Sequence, residues 1–588
     1  MFDKQSLKRL AAPLIALALG ACMSADLPRL AEPDAPPARE GGGEAMVGAA
    51  NPHAVEAALE MLRAGGSATD AAIAAELVLG LVEPQSSGIG GGGFLVHYDG
   101  ASEDIIAYDG RERAPAGARG DMFLDANGEP LAFIDAQTSG RATGAPSLVA
   151  MLKLAHDDHG RLPWADLFAP AIRLAESGFE VSPRMARILA GYTNRGRLRQ
   201  DPNARRYLFD RRGRPRAAGY LLRNPEYAAT LRAIAEQGPR ALSQGPIAEA
   251  IVAAARREPL AGALTLADLQ AVSPRRLEPV CAAYRVYRAC TAGPPSSGNA
   301  ALAILGLYQR ARPRPEGPSN ADDWAAFLWA SRLAYADRDH YMADDRFAPV
   351  PTRPLIAPAY LDQRVRLIDL AHAPERVEPG VPAGQELFDA WGRAQSDDDG
   401  TTHISVVDQW GNAVSLTATV ESAYGSQRMV AGFFLNNQMT DFSFRPTLNG
   451  RPVANAVEPG KAPRSSMSPL IVTDRNGELV LVIGSPGGSA IIGYVARTTI
   501  GILDWRLSPQ AAIDLSNATA RGAPAVIENE RMPAGIAEAL TARGWEFRNV
   551  GALEDSGLHA ILVTEDGLVG GADPRREGVI GRVPAVAP

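Results

Sequence analysis

Thr401 follows Asp399-Gly400 and opens the run TTHISVVDQWGNAVSLTATVESAYG. A threonine hydroxyl is a weak nucleophile near neutral pH and needs a base within hydrogen-bond reach to take its proton. If the Gly400-Thr401 bond were cut, the freed α-amine of Thr401 would be such a base, because its reference pKa of about 7.7 to 8.0 leaves much of it neutral. No histidine is then required. The same residues also read as an ordinary β-strand, since TTHISVV is rich in β-branched side chains and alternates in polarity. The two readings are compatible.

The elements around this segment must position it. His53 to Ala64 has a helical pattern ending at Gly65-Gly66, and Ser67 to Asp70 reads as a capping box for an alanine-rich helix toward Val82. Helices are therefore expected first. Gly88, Gly90 and Gly93 in SSGIGGGGFLVHYDG have the spacing of a dinucleotide fingerprint, but that loop should follow a strand and open a helix, and here the order is reversed. Residues 145 to 270 are mostly helical in pattern, and two more helices are expected between 300 and 345. His156 and His159 in HDDH read as a solvated helix end rather than a metal site. From about Ala373 to Gly400 the chain is rich in Pro, Gly and acid and reads as an irregular, accessible segment. Beyond Thr401, strands are expected at THISVVD, GNAVSLTATV, GFFLNN, SPLIVTD and ELVLVIGSP, then helices, and a final strand at AILVTED. Strands flanked by helices imply a layered α/β architecture.

Composition bounds the function. The 588 residues are 46% hydrophobic and 21% charged with net charge −8, which is globular and excludes a nucleic-acid footprint. No HExxH, CxxC or P-loop pattern occurs, so neither metal nor cofactor is implied. At the amino terminus, Lys4, Lys8 and Arg9 precede the apolar run Leu10 to Leu19, which is too short to span a membrane and reads as a secretory signal. Leu19-Gly20-Ala21-Cys22 resembles a bacterial lipobox, in which Cys22 would be lipidated and would anchor the protein to a membrane; a plain signal peptide is the alternative. Residues 23–46 read as a flexible linker. EPVCAAYRVYRACTA reads as two short strands about a turn near Arg285, placing Cys281 opposite Cys290 within disulfide range, with two free buried thiols as the alternative.

Seven motifs in order, SSGIGGGGF, DGRERAP, YADRDHY, the Thr401 run, FFLNNQMTDFS, PRSSMSP and GSPGGSAII, together resemble the γ-glutamyltransferase family from about residue 47 to about residue 585. The resemblance implies an amino-terminal-nucleophile hydrolase, a four-layer αββα sandwich matured by self-cleavage between Gly400 and Thr401. The large subunit would be 47–400 and the small, catalytic subunit 401–588, the two staying together. It implies that Thr401 attacks first the Gly400 carbonyl and then the γ-carbonyl of glutathione or another γ-glutamyl compound. The acyl group would pass to water, an amino acid or a peptide. Carried over to this sequence, Thr419 supports the nucleophile and Gly487 and Gly488 supply oxyanion donors. Arg111, Ser465 and Ser466 would hold the substrate α-carboxylate, and Gln438 and Asp441 its α-ammonium.

The sequence departs from the family at four places. Glu421, carried over as a substrate-binding residue, stands where many members have asparagine next to the ammonium, Thr440 replaces an aspartate in the usual acidic doublet, and Gly400 replaces the asparagine often found before the scissile bond. Only 21 residues, 444–464, separate Ser443 from Ser465, with no tyrosine among them, which implies a short lid and an open site. On the same fold, a glutaryl or cephalosporin-type acylase is the alternative activity, and a non-catalytic envelope lipoprotein is the alternative outside catalysis.

Overall fold

The computed structural model describes residues 43–383, 400–448, 450–550 and 556–585. The expected signal segment, Cys22, most of the expected linker and the stretch 384–399 before the expected cleavage point lie outside the described residues.

In chain order the main elements are β1 (Ala45–Ala49), α1 (Pro52–Arg63), α2 (Ala68–Val82), β2 (Gly92–Tyr98), β3 (Ile105–Gly110), β4 (Arg275–Leu277), β5 (Val280–Tyr284) and β6 (Tyr287–Thr291). Then follow α3 (Gly298–Ala311), α4 (Ala321–Tyr341), β7 (Gly400–Val407), β8 (Ala413–Glu421), β9 (Leu470–Thr473), β10 (Leu479–Gly484), α5 (Ile491–Leu503), β11 (His559–Thr564), β12 (Gly567–Ala572) and β13 (Val579–Val583). One sheet has the order β13-β1-β7-β8-β2-β3-β4, and the second β12-β11-β10-β9-β6-β5. Helices α1 and α2 pack on the first sheet, α3 and α5 on the second, and β7, β8 and β1 meet β10 and β11 across the middle. The result is an α/β sandwich layered helix, sheet, sheet, helix.

Local chemistry sets the helices. Pro52 starts α1 where its missing N–H costs nothing, and the Asn51 side chain caps the turn by accepting from the His53 N–H. Ser67 and Asp70 form the expected reciprocal box at the start of α2, with the Ser67 N–H donating to Asp70 Oδ2 at 2.9 Å. Every residue of α2 is buried. That explains its alanines: a helix enclosed on all sides leaves room for few large side chains.

The pleat of β7 and β8 decides what reaches the middle layer. Ile404, Val406, Val414, Leu416 and Ala418 face the α1–α2 core. The intervening residues Thr401, His403, Ser405, Ser415, Thr417 and Thr419 point the other way and are also buried. The alternation in TTHISVV therefore separates two buried faces, one apolar and one hydrogen-bonded.

Three expectations are corrected. A strand, not a helix, comes first: β1 overlaps the end of the expected linker and lies inside the sheet between β13 and β7. AILVTED is not the last strand, because β12 and β13 follow it. The HDDH histidines are half-buried rather than fully solvated: His159 stacks on His97 with ring centroids 3.6 Å apart, and His156 packs edge-on against Trp164. Only Asp157 and Asp158 of that motif are exposed. Among the described residues no cluster suited to a metal ion is present and no helix is long and apolar enough to cross a membrane.

Cys281 and Cys290 are register partners in β5 and β6 and form a disulfide, with Cα atoms 4.1 Å apart. Closing so short a loop stabilises a fold by about 2.5–3 kcal/mol in the chain-entropy model. Because β5 is the edge strand of its sheet, the bond also ties down the strand most prone to fray.

Candidate active site

Thr401 and Thr419 are register partners on β7 and β8, and their hydroxyl oxygens lie 3.1 Å apart. The direction of proton donation follows from the neighbours. Thr419 Oγ1 lies 2.7 Å from the Gly400 carbonyl, which can only accept, so Thr419 donates there. The Glu421 N–H donates to Thr419 Oγ1 at 2.8 Å, and the remaining lone pair accepts the Thr401 proton. One relay thus runs from the Thr401 hydroxyl through Thr419 to the carbonyl of the Gly400-Thr401 bond.

Backbone irregularity makes this possible. The β7–β8 register shifts between Thr419 and Glu421, and Glu421 has φ +82°, rare for a residue with a side chain. The bulge turns the Glu421 N–H back onto Thr419. From the other side, a β-carbon on Gly91 would lie 2.0 Å from the Thr419 carbonyl oxygen. The run SSGIGGGGF is therefore glycine-rich to admit β8, not a nucleotide. Arg576, which sequence reasoning missed, donates from Nη1 to the Thr401 carbonyl at 2.6 Å. It lies in a generic DPRREG turn, and nothing in its spacing marks it.

The ladder continues inward. The Ser405 hydroxyl donates to the His559 carbonyl, so Ser405 accepts from His403 Nε2–H, and His403 Nδ1 accepts from Thr417. Burial holds His403 well below its ordinary pKa and therefore neutral.

Thr401, Thr419, Arg111, Glu421, Gln438, Asp441, Ser465, Ser466 and Gly488 line one cavity. Gly487 precedes Gly488 and does not line it; both have positive φ, +130° and +52°, a conformation open to glycine. Thr401, Thr419, Arg111, Gln438 and Glu421 are each at most 4% exposed, whereas Asp441, Ser466 and Ser489 border the mouth. The 444–464 segment is pinned as a wall, with Phe444 stacked on Phe123 and Val457 in the same small core.

The charges are arranged differently from the expectation. Arg111 donates to Asp441 and to the carbonyls of Pro463 and Arg464, at 3.1 and 2.9 Å for the latter two. Gln438 also donates to Asp441, at 2.7 Å. Burial pushes Glu112 up to about 8 even with Arg111 beside it, so at neutral pH the ionic partner of Arg111 is Asp441. Ser466 accepts from Arg338 at 2.7 Å, and Ser465 Oγ from the Met467 N–H at 3.2 Å; neither is bonded to Arg111. Glu421 accepts from Asn437 and from the Ser422 hydroxyl. Thr440 bonds the Asn437 carbonyl at 2.8 Å and does not line the cavity. Asn455 is a second missed residue: its side chain donates to the Asp441 carbonyl at 2.7 Å and accepts from the Arg464 N–H at 3.0 Å, tying the two walls together.

Residues 54–583 match the sequence profile of the Gamma-glutamyltranspeptidase family. The chain belongs to that family. It is 33% identical over 514 residues to a glutathione hydrolase proenzyme of Bacillus subtilis strain 168, covering 86% of each chain. It is 34% identical over 599 residues to one of Escherichia coli K12, covering 98% of each. Among solved structures, the cephalosporin acylase of Bacillus halodurans superposes with TM-score 0.79 at 26% identity, covering 94% of this chain and 99% of that one. Family membership makes this chain an enzyme.

Proposed function

We propose that the chain is an autoprocessing γ-glutamyltransferase and glutathione hydrolase. The observation that carries this reading is the relay from the Thr401 hydroxyl through Thr419 to the Gly400 carbonyl. In the intact chain it polarises the carbonyl that Thr401 attacks. Nitrogen leaves as the Thr401 α-amine, an ester joins Gly400 to Thr401 Oγ1, and water releases the acid. The large subunit, 47–400, and the small subunit, 401–588, remain one body because their strands share both sheets.

In the mature enzyme the free amine takes the Thr401 proton as the hydroxyl attacks a γ-glutamyl carbonyl, and Gly487 and Gly488 offer N–H donors to the oxyanion. Arg111 with Ser465 and Ser466 receives the substrate α-carboxylate, and Asp441, Gln438 and Glu421 receive its α-ammonium. Water then gives hydrolysis, and an amino acid or peptide gives transfer. No cofactor or metal takes part in this scheme. Cys22, lipidated after export, would hold the enzyme at the bacterial envelope facing the periplasm.

Denaturing mass analysis tests the first step: fragments beginning at Cys22 and Thr401 are expected, and a Thr401→Ala chain is expected to stay whole. A wild-type chain that remains unbroken at neutral pH sinks the proposal. The likeness to the Bacillus halodurans acylase favours a second reading, a dicarboxylic acylase. Faster turnover of a glutaryl anilide than of the γ-glutamyl anilide would select it.

A further inference from the structure

Arg184 is a buried charge, remote from the cavity, to which the scheme above gives no task. It is the second residue of the helix Pro183–Arg195 and is 2% exposed. Its Nη1 donates to Glu83 Oε2 and to the Ser86 hydroxyl, both at 3.1 Å, and Ser86 donates in turn to Glu83 Oε2 at 3.2 Å. Nε and Nη2 have no hydrogen-bond partner among the described residues, so the hydrogen bonds of the guanidinium are confined to this triangle. A buried ion pair adds little net stability over well-packed apolar residues. Its place in the fold is therefore the informative part.

The triangle abuts the relay. The Ser86 carbonyl accepts the Val420 N–H at 3.3 Å, and the adjoining Gln85 carbonyl accepts the Tyr424 N–H at 3.4 Å. Val420 lies between Thr419, which donates to the Gly400 carbonyl, and Glu421, whose N–H donates to Thr419. A residue held at φ +82°, as Glu421 is, persists only where contacts from outside the strand hold it. Residues 85 and 86 supply such contacts. Arg184 reaches the other half of the relay through its main chain. At the start of its helix Pro183 has no N–H to offer and Ser182 accepts the Met185 N–H, which leaves the Arg184 N–H to donate to Glu577 Oε1 at 2.9 Å. Glu577 follows Arg576, which donates to the Thr401 carbonyl at 2.6 Å. One residue thus holds the segment behind Thr419 with its side chain and the segment behind Thr401 with its backbone.

We propose that Arg184 is a positioning residue for the Thr401 and Thr419 hydroxyls, bracing both strands from outside the cavity; this rests on the reading of Thr401 as an amide-cleaving nucleophile. Arg184 does not line the cavity, so it acts on the geometry of the pair and not on the binding of substrate.

Arg184→Met removes the side-chain arm of the brace, and Glu577→Ala removes the main-chain arm. If the unpaired Glu83 keeps the first variant from folding, Arg184→Met combined with Glu83→Gln replaces it and leaves no buried charge. Misplacement of a reacting group by ~1 Å can cost about 10²-fold in rate, so each folded variant is expected to lose about tenfold or more in kcat per cleaved chain for a γ-glutamyl anilide, assayed well below its melting temperature. KM should stay near the wild-type value, because Arg111, Gln438 and Asp441 are untouched. A merely structural role would lower the melting temperature and leave kcat alone. Wild-type kcat in either folded variant, or a loss carried by KM, overturns the brace.

Amide hydrogen exchange reads the same geometry without turnover. The Val420 and Glu421 amides are expected to exchange about tenfold faster in the Arg184 variant, while those of β9 and β10 keep wild-type rates. Equal exchange, or a rise shared by β9 and β10, overturns the brace. A wild type that neither cuts itself nor turns over any amide counts against the Thr401 reading, and the exchange comparison then decides the brace alone.

Discussion

Gly400 and Glu421 approach so closely that a β-carbon on Gly400 would lie 2.1 Å from the Glu421 carbonyl oxygen and 2.5 Å from the Ser422 carbonyl carbon. The obstacle is main chain, so it cannot rotate away. The two residues thus form one feature: the bulge that gives Glu421 its positive φ also forces a glycine before Thr401. Gly400→Ala is expected to destabilise the intact chain by about 1–3 kcal/mol, the usual cost of overpacking, and to slow self-cleavage by moving the carbonyl off Thr419. Cleavage time courses and thermal melts of the purified precursor check this; an unchanged rate would refute the steric account.

Thr419→Val removes the donor to the Gly400 carbonyl while keeping a β-branched strand residue. Loss of one such donor costs about 10²–10³ in rate, so cleavage should slow by that order. Thr419→Ser should retain most of it. The intact fraction over time, read by denaturing mass analysis, decides; equal rates for Val and Ser would remove Thr419 from the relay.

Asp441 holds both Arg111 and Gln438, so Asp441→Asn should release the arginine and withdraw the charge proposed to meet a substrate ammonium. A charged hydrogen bond contributes about 1.5–3 kcal/mol, which corresponds to a rise in KM for a γ-glutamyl anilide of roughly 10- to 100-fold. An unchanged KM would show that no ammonium binds there.

Stability should pass through a maximum near pH 6.5. Burial first, then the neighbouring His159, lowers His97 to about 3; burial lowers His559 to about 4 and His403 well below 6.5. These rings are neutral when folded and take up protons on unfolding below about 6.5, so their contribution is full above that value and lost as pH falls. Burial raises Glu76 and Glu112 to about 8, so they are protonated when folded. Their contribution is full below about 4.5 and is lost as pH rises through about 8. Between 4.5 and 6.5 the three histidines outweigh the two glutamates. Melting temperatures from pH 5 to 8.5 should show the maximum, and Glu76→Gln should flatten the alkaline fall. Parallel curves for the two proteins would refute it.

The legible parts of the fold were those written in local chemistry. The Ser67–Asp70 box, the start of α1, the Cys281–Cys290 pairing and the β7 strand each depend on a few neighbouring residues. β1 and β12 escaped because AMVGA and GLVGGA, small and glycine-rich, show no alternation; their partners, not their propensity, make them strands. The family motifs picked out residues that the fold gathers around one cavity, but the pairings among them were not legible. Arg111 and Asp441 are 330 positions apart, and Arg576 and Thr401 are 175 apart. Such contacts exist only once strand order brings the two ends of the chain together.

The strand order β13-β1-β7-β8-β2-β3-β4 has a consequence for the life of the molecule. The segments before and after the Gly400-Thr401 bond alternate across that sheet, with β1 held between β13 and β7. Were that bond cut as proposed, the two polypeptides would be interleaved like the fingers of clasped hands, and neither could leave without opening strands on both sides. Under the proposed self-cleavage the chain joins its halves while the fold forms and gives up that link afterwards. Maturation of that kind would be a ratchet: heat or denaturant should part the mature pieces for good, while the uncut precursor keeps the information to fold again.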